Sequence, residues 1–567
     1  MQKIFYDTRI LDQAARDAYG LTEDIMMENA AAALERAGSE HFFSPDNKYI
    51  NRPCVLILAG DGNNGADGYA LARRIVQHKI DVAVCQVYEP KSAMCVLQAD
   101  RAKKAGAIFI NPYDLDEWIE RASFDLRVVY DCVFGSGFHG TLDAMAAAVI
   151  ASANKIDGAY KIACDIPTGA SQDCSQAKET ASGNRLQAKE ADAFRADTTV
   201  TMGALKLALY SDAAKDACGK IIVADLGVSR SNFESAASTV CGPGNNSGID
   251  KNSSQAQNAG REQKASQAQE ASAPCAILLE PTDARLPLRG KKQNSNKGTY
   301  GHTAIYAGTK PGAAVIAGHA ALKFGSGLVS LVPVVEQKIT FENVADFELM
   351  VADAVPQNAT ALVVGPGLGR PDSYDLTSNC SQAKEAAGNL RLANDSILAT
   401  VCGLASVPQP LVLDADIFYW PQIKDLLAAK KNVVLTPHPK EFAALLKNLG
   451  MGDYTVAQVV ARRFELAKDF CRAYTDCVLV LKGANVLIAS KLQGEQEPRV
   501  YINTLGTSAL AKGGSGDVLA GMTAALLAQG YLPLEAAVTA SIAHASASRA
   551  FDGTDYALTP FGLMEKI

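Results

Sequence analysis

The chain has no CxxC pair and no zinc-ribbon spacing; its two closest cysteines are Cys471 and Cys477. Thirteen cysteines is also an odd number for a disulfide framework. Several lie inside apolar runs, among them Cys54, Cys85 and Cys164, where a free thiol behaves as a small hydrophobe. Structural zinc and a secreted disulfide scaffold are therefore excluded, and a reducing cytoplasm is the expected setting. No uninterrupted apolar run approaches the roughly 20 residues that a membrane span requires. The start, MQKIFYDTRILDQAARD, carries charges throughout and no apolar stretch, so no secretory signal is expected there. Basic residues are in deficit: 54 Lys and Arg against 61 Asp and Glu leave a net charge of -7. Phosphate neutralisation does not favour such a chain, so neither nucleic acid nor a membrane is an expected partner.

What the chain does have is length. At 567 residues, 48% apolar and 20% charged, it has the composition of ordinary globular protein. Single cores stop growing near roughly 250–300 residues, so two large domains are expected. Residues 229–272 are rich in Ser, Ala, Gln, Asn and Gly and lack apolar periodicity. Such composition cannot offset ordering entropy, which marks that stretch as a linker between domains at 1–228 and 273–567. Segments 171–195 and 371–396 read as surface-loop insertions; both contain SQAKE, without a structural repeat period. Each half alternates short β-rich runs with helical patterns. CVLILA (54–59), DVAVCQVY (81–88), LRVVYD (126–131) and KIACD (161–165) are expected strands of the first half, with HTAIYAG (302–308), ALVVGPG (361–367), LVLDAD (411–416) and CVLVLKG (477–483) in the second. Continuous Val, Ile and Leu strands separated by helices predict two α/β units, each with a parallel sheet covered on both faces.

In the first half, AGDGNNGADGYALARRI (59–75) is strand, Gly-rich turn, then helix. The glycines admit backbone N–H groups to a ligand, and the helix N-terminus favours an anion. There is no GxGxxG spacing. Asn63, Asn64 and Asp67 add oxygens that could hold a ligand hydroxyl or a cation. VVYDCVFGSGFHG (128–140) and IACDIPTG (162–169) each end a strand in an aspartate before a glycine-containing loop. Ligands of open α/β sheets bind at the carboxyl ends of strands, so Asp67, Asp131, Asp165 and Thr168 are expected to converge. An oxygen-only set of that kind suits a hard cation and a hydroxylated ligand.

These motifs, with TVTMGALK (199–206), resemble the N-terminal domain of the NAD(P)H-hydrate repair family, the NAD(P)HX epimerase. The resemblance covers about 1–228 and implies a Rossmann-like three-layer α/β/α fold. It implies that Asn63, Asn64, Gly65, Ala66 and Asp67, with Gly135, Ser136, Gly137, Phe138, His139, Gly140, Thr141 and Asp165, contact the hydrated nicotinamide nucleotide. It implies K+ on Asn64, Asp131 and Thr168. Asp131 is also expected to do acid–base work. Two positions depart from the family pattern: Ala66 replaces a glycine and Thr168 replaces a serine.

In the second half, LAKGGSGDVLAGMTAALLAQG (510–530) places Gly513, Gly514 and Gly516 before an apolar helix, a backbone anion hole with Asp517 in the first turn. No GK[ST] follows, so this is not a Walker A loop. Asp517 is placed to accept a hydroxyl proton while the hole neutralises a transferring phosphoryl group. With LVLDAD, LTPHPKEFAAL (435–445) and VLVLKGANVLIAS (478–490), it resembles the family's C-terminal domain, the ADP-dependent NAD(P)HX dehydratase, which is ribokinase-like. The resemblance implies a hydrate site at Ala313, Gly367, His438 and Asp517. It implies a nucleotide site at Lys482, Gly483, Ala484, Asn485, Val486 and Gly516. Departures are Lys440 for a glycine and Ile417-Phe418-Tyr419 for Ala-Leu-Asn. A bifunctional repair enzyme acting on NADHX and NADPHX, with ADP and Mg2+, is the main expectation. The alternative is a ribokinase-class small-molecule kinase with an accessory nucleotide-binding domain, or a first half that only senses or binds. A homo-oligomer is the expected assembly.

Overall fold

The branched and apolar runs of the first half become strands because Val, Ile and Leu fit a pleated surface buried on both faces. A computed structural model describes residues 1–43, 53–122, 125–138, 140–170, 193–240, 273–289, 294–335, 348–371 and 394–567. The chain divides into two units, Lys3–Ala276 and Ile277–Ile567, the latter also taking Met1–Gln2. In the first unit the strands are β1 (Gln2–Phe5), β2 (Cys54–Ala59), β3 (Asp81–Gln86), β4 (Ile108–Ile110), β5 (Leu126–Cys132), β6 (Tyr160–Cys164), β7 (Thr198–Met202), β8 (Leu205–Lys206) and β9 (Lys220–Ala224). Seven form a parallel sheet in the order β4-β3-β2-β5-β6-β7-β9, while β1 pairs with β8. The chain builds outward from β2 to β4, then returns to place β5 on the other side of β2. That reversal opens a crevice at the carboxyl ends of β2 and β5, where both glycine-rich turns lie.

Helices cover both faces, and separate apolar clusters sit on the two sides of the sheet. Residues Arg230–Val240, expected to begin the linker, are instead a helix. Phe233 and Ala236 are fully buried with Leu11, Ala14 and Ala15. One aromatic residue among serines and alanines supplies the burial that average composition concealed. The rest of the expected linker that precedes Ser272, and most of both expected insertions (171–192 and 372–393), lie outside the described residues.

The second unit contains β10 (Ala276–Leu278), β11 (His302–Ala307), β12 (Leu328–Pro333), β13 (Met350–Val351), β14 (Ala361–Val364), β15 (Leu411–Leu413), β16 (Val433–Leu435), β17 (Cys477–Leu481), β18 (Val486–Ser490) and β19 (Arg499–Asn503). Their order is β13-β12-β11-β14-β15-β16-β17-β18-β19-β10. From β13 to β17 the pairs are parallel, and the order again reverses, between β11 and β14. The expectation of a parallel sheet fails at β17–β18 and β18–β19, which are antiparallel. The Lys482–Asn485 turn is too short for a parallel crossover, which needs about a dozen residues. On one face the helices Pro311–Lys323 and Ser515–Ala528 pack backbone to backbone. A Cβ at Gly521 would lie 2.1 Å from the Ala317 carbonyl oxygen. No described helix is long and apolar enough to cross a membrane.

Candidate active sites

In the first unit, β2 ends at Ala59 and the chain turns sharply into the helix Asn63–Val76. A Cβ at Gly65 would meet the Gly60 carbonyl oxygen at 2.1 Å, so the turn closes only with glycine there. Ala66 is inside the helix and its N–H bonds to the Gly62 carbonyl at 3.0 Å. The departure from glycine is therefore accommodated by helical backbone.

This turn, the loop after β5 and the helix Arg9–Tyr19 enclose a cavity of about 540 Å³. Its wall includes Asn63, Asn64, Asp67, Gly135, Ser136, Gly137, Phe138 and Asp165 from the expected set. Gly65, Ala66, Gly140 and Thr141 are not on that wall, and His139 lies outside the described residues. Phe134 and Phe138 stack at 4.2 Å on one side. The Asn64 Nδ2 is buried without a partner among the described residues. Sequence reasoning missed Asp12 and Lys206, which also line the cavity. Their signal was weak: a lone acid on a helix and a lysine in TMGALK, both brought in only by folding.

Asp165 has φ +68° and is tightly held. Its Oδ2 accepts from the Ser136 N–H at 2.9 Å. Its Oδ1 accepts from the Thr201 hydroxyl and Met202 N–H, each at 3.2 Å, and pairs with Lys206 Nζ at 2.7 Å. Burial works to raise this carboxyl, but Lys206 and these donors outweigh it and hold it below the ordinary range. Among the described residues Asp67 has no basic partner. Burial, then the charge of Asp165, push it well above the ordinary value, against a weak Cys164 thiol bond at 3.8 Å.

Asp131 is fully buried and is not on the cavity wall. Its Oδ1 accepts from the Thr168 hydroxyl at 2.7 Å and the Val133 N–H at 3.2 Å, and its Oδ2 from the Thr168 N–H at 2.7 Å. The Thr168 oxygen in turn accepts from the Phe134 N–H at 3.1 Å. Burial raises Asp131 to about 6 against these bonds. The geometry gives Asp131 a bracing role beneath the wall, and the expected acid–base role is not supported.

In the second unit the helix Ser515–Ala528 starts after Gly514, whose φ of +92° suits the left-handed cap. A Cβ at Gly516 would sit 3.1 Å from Lys482 Nζ. Lys482 thus reaches from the β17–β18 turn to the helix N-terminus. Its Nζ donates to Asp414 Oδ1 at 2.8 Å and lies 3.7 Å from Glu441. Burial works to lower Lys482, but Asp414 and Glu441 dominate and raise it. Asp414 also accepts from the Thr436 hydroxyl at 2.8 Å. Asp517 rises to about 7, first through burial and then through Asp414, with Lys482 opposing. Glu441, within a quoted motif but not singled out, also rises to about 7 through burial.

His438 caps the helix Pro439–Leu449: its Nδ1 accepts from the Lys440 and Glu441 N–H groups at 3.1 and 3.2 Å. Its Nε2 lies 3.1 Å from Glu441 Oε1. Both ring nitrogens therefore have structural partners. Lys440 is exposed and leaves the site open. Ile417 and Phe418 are fully buried, and Arg370 stacks 3.8 Å over the Tyr419 ring while bonding Asp416 at 2.8 Å. Gly367 (φ +62°) pairs by its carbonyl with the Lys310 N–H at 2.9 Å, beside Ala313 in the first turn of Pro311–Lys323. Gly483 and Ala484 are exposed on the turn; Asn485 is buried, and its carbonyl accepts from Arg463 at 2.6 Å. Val486 begins β18.

A family model described as YjeF-related protein N-terminus matches residues 23–208, and one described as NAD(P)H-hydrate dehydratase matches 304–567. A Helicobacter pylori protein named bifunctional NAD(P)H-hydrate repair enzyme Nnr is 38% identical over 567 residues, spanning 100% of this chain and 99% of its own. The Escherichia coli protein of that name is 26% identical over 561 residues, spanning 96% of this chain and 88% of its own. A Bacillus subtilis ADP/ATP-dependent NAD(P)H-hydrate dehydratase, crystallised with ATP/Mg2+, is 25% identical with a TM-score of 0.39, covering 52% of this chain and 97% of its own.

Proposed function

The chain belongs to the family of bifunctional NAD(P)H-hydrate repair enzymes, and from that premise we propose how its two units divide the work. The first interconverts the R and S epimers of NADHX and NADPHX. The second dehydrates the S form to NAD(P)H at the expense of ADP. The observation that supports this most directly is Asp517 at the N-terminus of Ser515–Ala528, beside Lys482 and the GGSG amides.

Hydroxide is a poor leaving group, so the hydrate must be activated. Asp517, poised at about 7, takes the proton of the hydrate hydroxyl. The oxygen attacks the terminal phosphoryl group of ADP, and the bond to AMP breaks. Lys482 and the backbone N–H groups after Gly514 neutralise the moving charge. The carbon–oxygen bond of the phosphate ester then breaks, inorganic phosphate leaves with the electron pair, and the neighbouring ring carbon loses a proton to water, which restores the ring double bond. Among the described residues no group of three or more His, Cys, Asp or Glu side chains forms a metal cage. Asp414 and Asp416, at the end of β15, are the carboxylates that would hold Mg2+ there. When bound it supplies charge neutralisation of the phosphates.

For K+, the donor set of the first unit fits. Asp131 is a fully buried carboxyl whose bonds come from Thr168 and Val133, and Thr168 and Asn64 add neutral oxygens. K+ there would neutralise a buried charge and set the loop that carries Ser136.

The test is incubation with mixed NADHX epimers plus ADP or ATP, following each epimer, NADH and inorganic phosphate. Loss of both epimers with matching NADH and phosphate supports the reading. A stable phosphoester without NADH would establish the kinase alternative.

A further inference from the structure

Epimer exchange at the carbinol carbon needs a group that gives a proton to the departing hydroxyl and takes it back in the reverse direction. The strand-end Asp131 is fully buried, is not on the cavity wall, and its oxygens are taken by the Thr168 hydroxyl and N–H and the Val133 N–H. The acids on the wall are Asp12, Glu23, Asp61, Asp67 and Asp165. Glu23 pairs with Arg16 at 2.5 Å and Asp61 with Lys91 at 2.7 Å. Asp165 is engaged by Lys206 and three further donors. Asp67 is bonded by the Cys164 thiol at 3.8 Å, and burial raises its carboxyl well above the ordinary value. Asp12 alone has a carboxyl with no hydrogen bond or contact ion pair among the described residues. It sits in the first turn of Arg9–Tyr19, half-buried, on the wall facing the glycine turns.

We propose that Asp12 is the catalytic acid–base residue of the first unit, exchanging the proton of the hydrate hydroxyl. This rests on the epimerase reading of that cavity. In one direction protonated Asp12 gives its proton to the hydroxyl oxygen. The carbon–oxygen bond breaks, its electron pair leaves with water, and the ring nitrogen lone pair forms an iminium. Water then adds to the opposite face, and the proton it loses passes to solvent. Asp12 regains a proton from solvent. In the reverse direction the Asp12 carboxylate takes the proton of water adding on its own face.

The surroundings suit this cycle. Burial raises Asp12 to about 6, Lys206 opposes, and Asp165 adds to the rise; Arg16 and Asp7 from its own segment make smaller contributions. Both protonation states are accessible near neutrality, which is what a group that alternates between acid and base requires. The neighbouring Asp165 stays ionised and lies where it would offset the iminium charge. The buried, unpartnered Asn64 Nδ2 on the same wall marks this side of the cavity as awaiting a ligand acceptor.

The experiment uses the full chain and one separated NADHX epimer without nucleotide, and follows appearance of the other by chromatography. In Asp12→Asn, exchange above the uncatalysed background should fall by about 100-fold or more. Hydrate affinity and ADP-dependent conversion of the S epimer should stay within a few-fold of wild type. The wild-type rate should show a limb with midpoint near 6 that the variant lacks. Wild-type exchange in Asp12→Asn, or its loss together with hydrate affinity, would overturn the assignment while leaving the epimerase reading intact. A wild-type chain that exchanges no epimer would instead refute that reading.

Discussion

Asp517 is kept at a thermodynamic disadvantage, and Asp517→Asn should expose it. Its carboxyl sits at about 7 in the folded protein against an ordinary 3.8. A raised acid binds more protons folded than unfolded, so stability falls as pH rises between those values. At 1.36 kcal/mol per unit, roughly three units correspond to about 4 kcal/mol lost above pH 7. Lys482 and Glu441 titrate together with it, so about half of that, about 2 kcal/mol, is the expected gain on removing the charge. Asparagine keeps the shape and cannot ionise. In thermal unfolding at about pH 8, the second unit of the variant should melt roughly 4 °C or more above wild type. The advantage should shrink as pH falls toward 3.8 and vanish below it. The same variant should lose about 100-fold or more in NADH formation while still binding ADP. A variant no more stable than wild type at pH 8, or one with near-normal turnover, would refute the account.

Thr168→Val removes the hydroxyl that donates to Asp131 and should cost about 1–3 kcal/mol in the first unit, read by denaturant unfolding, with a weaker response of epimer exchange to K+. Gly365→Ala places a Cβ 1.6 Å from the Asp414 carbonyl oxygen at a φ of +121°; it should abolish ADP binding in calorimetry by displacing Asp414 and Lys482. Phe233→Ala should destabilise the first unit by about 3–5 kcal/mol in chemical unfolding, whereas a flexible tether there would show no change.

The alternation of apolar runs with helical patterns carried the two α/β units, since a strand buried on both faces leaves a continuous Val, Ile and Leu record. The GGSG turn was legible because glycine spacing before an apolar helix has few other uses. The antiparallel β18 and β19 were not, because their direction depends on a four-residue turn whose flanking runs look alike either way. Arg230–Val240 was hidden by composition: one phenylalanine docks it, and an average over Ser and Ala dilutes that. Asp131 could not be placed from sequence, because a strand-end aspartate can face a ligand or brace the next loop, and only folding brings the Thr168 hydroxyl and N–H onto it. Asp12 lies some fifty residues before the glycine turn it faces, and only tertiary folding joins them.

Gly521 and Ala317 sit midway along the helices that begin at the proposed phosphoryl site and at the proposed hydrate wall. Two backbones in van der Waals contact cannot slide or part without opening a void, so these helices form one stiff bracket. The distance from Asp517 to Ala313 is thus fixed before either ligand enters. A single methyl group at position 521 would lengthen the reach between nucleophile and phosphorus without touching any residue that bonds to either.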